Sequence, residues 1–165
     1  TIGEICRRHG AVDVFIPDSE KARRNLLEIR ENFGPALRRS LEWDSADIVV
    51  PRSHIADFVE RVRELACEYG ITIMAFGHAG DGNVHVYGVN RGPASIAEKM
   101  DALFTEIFKL GVSLGGTISG EHGLGLARKG LLPLVANNTE IELMQRVKQA
   151  FDPANIMNPG KIFDL

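Results

Sequence analysis

The sequence of 165 residues predicts a domain of the α+β class, with a mostly antiparallel sheet and helices on one face of it. Two segments rich in β-branched residues, Ile71–Phe76 and Val84–Val89, are expected to be strands. Between them lies Asp81-Gly82, a dipeptide typical of the turn of a β-hairpin. Helical patterns of apolar residues precede and follow this pair. Because a hairpin pairs its strands antiparallel, these observations favour α+β over a parallel sheet.

Before the hairpin we expect three helices and two strands. A short helix ends at Gly10, and Val12–Ile16 alternates as a strand does. Asp18 or Ser19 can cap a second helix, and residues 34–46 predict no element. The apolar face of that helix is expected to consist of Ala22, Leu26, Ile29 and Phe33.

Asp47–Val50 predicts a strand that Pro51 terminates. A helix is then expected to run from Ser53 to Gly70. Its apolar stripe is formed by Ile55, Phe58, Val59, Val62, Leu65, Ala66 and Tyr69.

After the hairpin, two helices flank a glycine-rich loop, Gly115–Gly125. Pro93 and Ser95 open the first helix. Its core-facing residues are expected to be Ile96, Met100, Leu103, Phe104, Ile107 and Leu110. Thr139 and Glu142 have the spacing of a capping box for the last helix. That helix is expected to turn inward Met144, Val147 and Phe151.

Composition and charge exclude several function classes. The formal net charge of −3 argues against a nucleic-acid partner, and no apolar run approaches the roughly 18 residues of a membrane span. Cys6 and Cys67 form no CxxC pair, which argues against a disulfide framework and favours a reducing, cytoplasmic compartment. The chain begins at Thr1 rather than at a methionine, and no signal peptide is visible. Because its first residues have the pattern of the end of a helix, we expect a piece of a longer protein.

Two of the five histidines, His78 and His85, bracket the hairpin turn. Residues directly opposite each other in a hairpin have Cβ atoms about 4.5–5.5 Å apart, which suits two imidazoles around one metal ion. The spacing alone is equally compatible with two polar residues at the mouth of a hairpin. Asp81, beside Gly82, is more typical of a turn residue than of a ligand.

The glycine-rich loop contributes a second pair, Glu121-His122, which no hydrophobic or capping requirement explains. Two histidines and a carboxylate would make a three-ligand site with open positions, the pattern of a catalytic metal. Either member of the pair would bind metal while the other transfers a proton. The alternative is a solvated loop that carries a charged pair.

Three motifs, in the order GHAGDGNVHV (77–86), GGTISGEHGLGLARKGLL (115–132) and FDPANIMNPGKIF (151–163), resemble the C-terminal domain of FAD-linked oxidases. That family includes the flavin-binding component of glycolate oxidase, flavin D-lactate dehydrogenases and D-2-hydroxyglutarate dehydrogenase. The segment VVPRSHI (49–55) is also similar to the family. The resemblance implies that residues 1–165 are a ferredoxin-like cap and substrate domain. It also implies that the N-terminal FAD-binding domain is absent from this chain.

The resemblance further implies roles for single residues. His78, His85 and Glu121 match the ligands of a divalent metal such as zinc, and His122 matches the catalytic base. Asn83 matches a substrate-contacting position.

Two more matches lie outside these motifs or at their end. Arg30 matches an arginine that binds the substrate carboxylate, and Asn158, in the tail signature, matches a position at the flavin. Members that take dicarboxylates have a lysine shortly before Pro51, whereas residues 44–50 contain no base here, which favours a monocarboxylate.

The implied activity is oxidation of a small 2-hydroxy acid, of the glycolate or D-lactate type, to a 2-oxo acid with hydride transfer to FAD. The isolated chain is then expected to be inactive. The implied partners are the substrate and an electron acceptor or iron–sulfur subunit, without nucleic acid. The resemblance is compatible with a homodimer and with peripheral attachment of the full enzyme to the inner membrane.

Two other function classes fit the same cluster. A metal-dependent hydrolase would act without flavin once metal is added. A non-catalytic binding module would bind no metal and would tolerate changes at Glu121 and His122.

Overall fold

The computed structural model describes residues 1–40, 42–90 and 95–165, and the side chains of residues 37–44, 90, 95 and 96 are outside that description. The predicted helix opening at Pro93 and the predicted inward side chain of Ile96 therefore lie outside the described residues. The chain divides into two compact units, Thr1–Leu41 and Glu42–Leu165.

The first unit contains two helices, α1 (Ile2–Arg8) and α2 (Glu20–Ser40). As predicted, Ser19 caps α2, because its hydroxyl accepts a hydrogen bond from the Ala22 amide at 3.2 Å. The residues from 34 onward that predicted no element continue α2 as far as Ser40, through Pro35.

The strand predicted at Val12–Ile16 is wrong. These residues adopt no regular structure, and the side chains of Val12, Phe15 and Ile16 are exposed. An alternating pattern makes a strand only when a neighbouring strand accepts its hydrogen bonds, and no other strand lies among the described residues of this unit.

The second unit is built on three antiparallel strands, which confirms the predicted α+β class. These are β1 (Glu42–Val49), β2 (Thr72–His78) and β3 (Asn83–Asn90), in the spatial order β1-β3-β2. The hairpin of β2 and β3 was predicted. β1 begins earlier than the predicted Asp47–Val50 and stops before Pro51.

Two helices cover one face of this sheet, α3 (Ile55–Tyr69) and α4 (Ser95–Ser113). Ser53 lies inside a 3-10 turn, Arg52–His54, rather than at the start of α3, and α3 ends at Gly70 as predicted. The core between these helices and the sheet includes Ile48, Val86, Phe58, Val62, Leu103, Phe104 and Ile107. Among the described helices, none combines the length and apolar character needed to cross a membrane.

The last helix, α5 (Asn138–Phe151), differs from the prediction in two respects. Its capping box consists of Asn137 and Glu140, two residues before the predicted pair Thr139 and Glu142. The Asn137 side chain accepts from the Glu140 amide at 3.0 Å, and the Glu140 carboxylate accepts from the Asn137 amide at 2.7 Å.

The apolar face of α5 does not point inward as predicted. Its side chains are exposed, at 40% for Met144, 51% for Val147 and 84% for Phe151. The helical side of the core of the second unit is instead formed by α3 and α4. The apolar pattern therefore predicted the helix correctly, but its apolar face is not buried among the described residues. A 3-10 helix, Lys129–Leu134, precedes α5 and contributes the buried Leu132.

Candidate functional site

The sheet face opposite α3 and α4 carries the polar residues of the site. Alternation along the strands places Asp47, His85 and Phe76 in one row across the sheet. Asn83 and His78 are paired in the next row. Buried polar groups on this face need partners, and those of the Asp47 carboxylate come from the glycine-rich loop.

His78 and His85 do not lie directly opposite each other as expected. The turn between β2 and β3 holds four residues, so His78 pairs with Asn83 and His85 pairs with Phe76. The two histidines are diagonal neighbours on the same face, and their ring centroids are 5.6 Å apart. Long side chains can reach each other across such a diagonal. The two histidines therefore lie close together as predicted, although they are not paired with each other in the strand register.

The glycine-rich loop reaches this face along the free edge of β1. Thr117 and Val49 exchange two backbone hydrogen bonds, of 2.9 and 3.2 Å. The preceding Gly116 passes so close that a Cβ there would lie 2.1 Å from the Val49 carbonyl oxygen, so only glycine fits. The loop then crosses the open face of the sheet at residues 119–122.

Asp47 anchors the loop through hydrogen bonds. Its Oδ2 accepts hydrogen bonds from the amides of Gly120, Glu121 and His122 at 2.8–3.0 Å, and from the Ser119 hydroxyl at 3.2 Å. Burial acts to raise the pKa of this carboxyl, but the amide donors of His122 and Glu121 and the Ser119 hydroxyl outweigh burial. They hold the pKa of Asp47 below its ordinary value, so the group is ionised.

The ligand atoms of the three predicted metal-binding residues lie close together. Oε1 of Glu121 lies 3.2 Å from Nε2 of His85 and 3.6 Å from Nε2 of His78. One nitrogen or oxygen atom from each of the three residues falls within 4.8 Å of the others. Ligands about 2.1 Å from a tetrahedral ion are separated by roughly 3.4 Å. The donor set therefore fits a divalent cation.

The imidazole of His85 is held in the neutral form that binds metals. Burial, the largest influence, lowers the pKa of His85. The Asp47 carboxylate opposes this effect, and the neighbouring His122 adds to it. Neutral imidazole has a lone pair free for a cation, as a ligand requires.

His122 stacks on His85, with ring centroids 5.1 Å apart and an angle of 17° between the planes. Its Nε2 lies 3.9 Å from Oε1 of Glu121, and about half of its side chain is exposed. The residue is therefore beside the converging donors and open to a molecule from solvent. A second set of ligand atoms, on Asp47, His85 and His122, also lies within 4.8 Å of one another.

The remaining predicted residues lie in different places. Asn83 is buried at the start of β3, under Gly120, and its Oδ1 has no hydrogen-bond partner within the described part of the chain. Asp81 is a turn residue as expected, because its carboxylate accepts from the Asn83 amide. Arg30 lies on α2 of the first unit, exposed. Asn158 lies exposed in the tail, in a turn closed by the Lys161 amide.

Sequence reasoning did not identify Asp47 as part of the site. The available signal was a single acid in the otherwise apolar run Ala46–Val50. Because an aspartate is almost never fully buried without partners, such an acid indicates that donors arrive from elsewhere in the chain.

Comparison with known proteins gives the family. The profile of the family described as FAD linked oxidases, C-terminal domain, matches residues 1–162. The chain belongs to this family. An FAD-linked oxidoreductase of Mycobacterium tuberculosis is 42% identical over 99% of this chain and 34% of its own length. Glycolate oxidase subunit GlcD of Bacillus subtilis is 39% identical over 98% of this chain and 35% of its own length.

D-lactate dehydrogenase of Archaeoglobus fulgidus is likewise 39% identical, over 96% of this FAD-linked oxidase C-terminal domain and 35% of its own length. The chain thus spans about a third of the length of the curated relatives it matches. A solved structure of 4-ethylphenol oxidase from Gulosibacter chungangensis, in complex with isoeugenol, has a TM-score of 0.55 and 17% identity. The match covers 90% of this chain and 32% of the oxidase chain, and it shows a similarity of fold.

Proposed function

We propose that this chain is the substrate-side domain of an FAD-dependent 2-hydroxy-acid oxidoreductase of the glycolate or D-lactate type. His78, His85 and Glu121 hold a divalent cation in this proposal, and His122 is the base. The observation that carries it is the convergence of three ligand atoms from two distant segments, with a fourth residue, the half-exposed His122, stacked on one of them. Relatives named glycolate oxidase and D-lactate dehydrogenase support the substrate class.

The first task of these residues is to remove the hydroxyl proton of the substrate. When bound, a divalent cation supplies positive charge that makes a neighbouring hydroxyl easier to deprotonate. Neutral imidazole accepts a proton near neutral pH, and His122 is the histidine of the cluster that is both exposed and outside the proposed ligand set. The proton from the hydroxyl therefore goes to the His122 ring.

The second task is to orient the Cα–H bond. FAD, held by the remainder of the enzyme, would supply the acceptor for the hydride from Cα, and the product would be a 2-oxo acid. A guanidinium binds a carboxylate through two parallel hydrogen bonds, and Arg30 remains the predicted residue for this role. Asn83 and Asn158 remain the predicted contacts to substrate and cofactor. The absence of a base in residues 44–50 favours a substrate with one carboxylate.

The reaction would also need a final electron acceptor, and we propose a separate acceptor or an iron–sulfur subunit as this partner. We propose that the enzyme is cytoplasmic. Peripheral attachment at the inner membrane is the alternative, and cell fractionation would distinguish the two locations.

The test replaces His122 by Asn in the full-length protein that carries this chain. We expect flavin reduction by D-lactate or glycolate, measured in a single turnover, to slow by about 10²–10⁴-fold, since a positioned base contributes that much. His85→Ala should in addition lose bound metal, measured by elemental analysis, whereas His122→Asn should retain it.

The matched control is His9→Asn, which changes an exposed histidine of the first unit. It should leave both readouts unchanged. An unchanged flavin-reduction rate in His122→Asn rules out the base, and stoichiometric metal in His85→Ala rules out the ligand assignment. Hydrolysis by the metal-loaded chain without flavin would favour a hydrolase instead.

A further inference from the structure

Asp47 is a buried carboxylate whose two oxygens face two different parts of the site. Its side chain is 7% exposed and lies in the same row of the sheet as His85. It is not among the three converging ligands proposed above. Burying a carboxylate costs free energy unless other interactions compensate for it, and each of the two oxygens of Asp47 faces a polar group.

Oδ2 fixes the path of the loop. Three successive amides, those of Gly120, Glu121 and His122, all donate to this one atom. The Ser119 hydroxyl donates to it as well, while accepting from the Gly123 amide at 2.8 Å, which closes the loop on itself. Because the donors are backbone groups, the carboxylate determines where the Cβ atoms of Glu121 and His122 point.

Oδ1 faces the strand histidine. It lies 3.5 Å from Nδ1 of His85, and neither atom has a hydrogen-bond partner within the described residues. A carboxylate can only accept, so Oδ1 of Asp47 favours the proton of the neutral ring on Nδ1, whereas Oε1 of Glu121, 3.2 Å from Nε2, favours it on Nε2 until a cation binds there. With the proton on Nδ1, the lone pair lies on Nε2, the nitrogen that a cation would use. Carboxylates in this position orient metal-binding histidines in many proteins.

We propose that Asp47 is the positioning residue of the site, which uses one oxygen to place Glu121 and His122 and the other to hold His85 in the Nδ1–H tautomer. The inference rests on the proposed function in taking His85 and Glu121 as cation ligands. It adds that the strand ligand and the loop ligand are set by a single side chain.

Asp47→Asn separates this role from simple filling of the core. The substituted amide can still present its oxygen to the loop, but it then turns an NH₂ group toward Nδ1 of His85. That donor favours the other tautomer, with the proton on Nε2 and no lone pair for the cation. We expect the loop to persist and the affinity for Co²⁺ to fall by about 10–100-fold.

The matched control is Asp152→Asn. Asp152 is also a buried aspartate that collects two backbone amides, from Ile156 and Met157, at 3.0 and 2.9 Å. Its other hydrogen-bond and ion-pair partner in the described chain is the Lys148 ammonium, so it orients no histidine there. It should lose stability comparably and keep wild-type Co²⁺ affinity.

The experiment has two readouts on the full-length protein that carries this chain. The first is titration with Co²⁺ followed by its visible absorption. The second is the tautomer of His85 in metal-free, ¹⁵N-histidine-labelled protein that carries Glu121→Ala, so that the Glu121 carboxylate no longer faces Nε2. We expect Nδ1–H when Asp47 is present and Nε2–H when Asp47→Asn is added. If Asp47→Asn fails to fold, the tautomer in Glu121→Ala alone decides.

A His85 with its proton on Nε2 in the metal-free Glu121→Ala protein overturns the inference, as does Asp47→Asn with unchanged tautomer and Co²⁺ affinity. Loss of Co²⁺ affinity equal to that of Asp152→Asn also overturns it. The proposed function fails differently, through intact flavin reduction in His122→Asn, and the tautomer measurement does not depend on that result.

Discussion

Gly120 is the residue at which the loop passes closest to the sheet. A Cβ at this position would lie 2.6–2.8 Å from the side-chain amide atoms of Asn83. Because Asn83 is buried and cannot swing into solvent, an added methyl group must lift the loop and carry Glu121 away from His85. We expect Gly120→Ala to lower the free energy of unfolding by about 1–3 kcal/mol, measured with urea, and to weaken Co²⁺ binding.

Gly130→Ala is the control for this change. A Cβ at Gly130 would meet no atom within 4 Å, and its backbone is not in the left-handed region. Stability and Co²⁺ affinity should both stay near the wild-type values. Equal effects of the two substitutions would show that the contact with Asn83 is unimportant.

At the scale of elements, Asp152 joins the end of α5 to the tail. Its carboxylate binds the Lys148 ammonium and accepts from the amides of Ile156 and Met157. Lys148 also donates to the Met157 carbonyl at 2.7 Å. The hydrogen bond from Lys148 and those from the two amides hold the pKa of Asp152 below its ordinary value, against the effect of burial.

This lowered pKa predicts how the tail responds to pH. A carboxyl whose pKa is lower in the folded state stabilises that state above its unfolded pKa of about 3.9. The stabilisation is lost as pH falls through the folded-state pKa. We expect the hydrogen-exchange protection factors of the Ile156 and Met157 amides to fall with acidification in this range. In Asp152→Asn they should be lower at neutral pH and nearly independent of pH, and a pH-independent wild type contradicts the prediction.

At the scale of the whole chain, exposed apolar side chains occur toward both ends, within residues 2–33 and within residues 126–165. On α5 they include Leu143, Met144, Val147 and Phe151, and in the tail Ile156 and Met157. Apolar surface of this kind drives association or dye binding in water. We expect the 165-residue chain, prepared alone, to self-associate with rising concentration in sedimentation velocity.

Val147→Lys combined with Phe151→Lys should shift that self-association to higher concentration with little loss of stability, since both side chains are exposed. Ile2→Lys is the control, because Ile2 is an equally exposed apolar residue at the other end of the chain. Should Ile2→Lys have the same effect, net charge rather than the α5 surface is responsible.

The contrast between sequence and structure follows from the range of the interactions involved. The hairpin and the histidines beside it could be predicted because the turn residues Asp81 and Gly82 act locally. Asp47 could not be assigned, because its partners are residues 119–122, more than 70 positions away in the chain. The strand expected at Val12–Ile16 and the buried face expected for α5 fail for a related reason. A periodic pattern shows which side of an element is apolar, not whether another element covers it.

The bond between Asp47 and the loop also affects how this protein can be redesigned. Every amino acid except proline has the backbone N–H that Asp47 binds, so the anchor at Glu121 and His122 is indifferent to the side chains there. Saturation mutagenesis of these two positions can therefore introduce sulfur, nitrogen or oxygen donors at nearly constant geometry. Variants with altered cation preference or chemistry can then be selected without rebuilding the backbone.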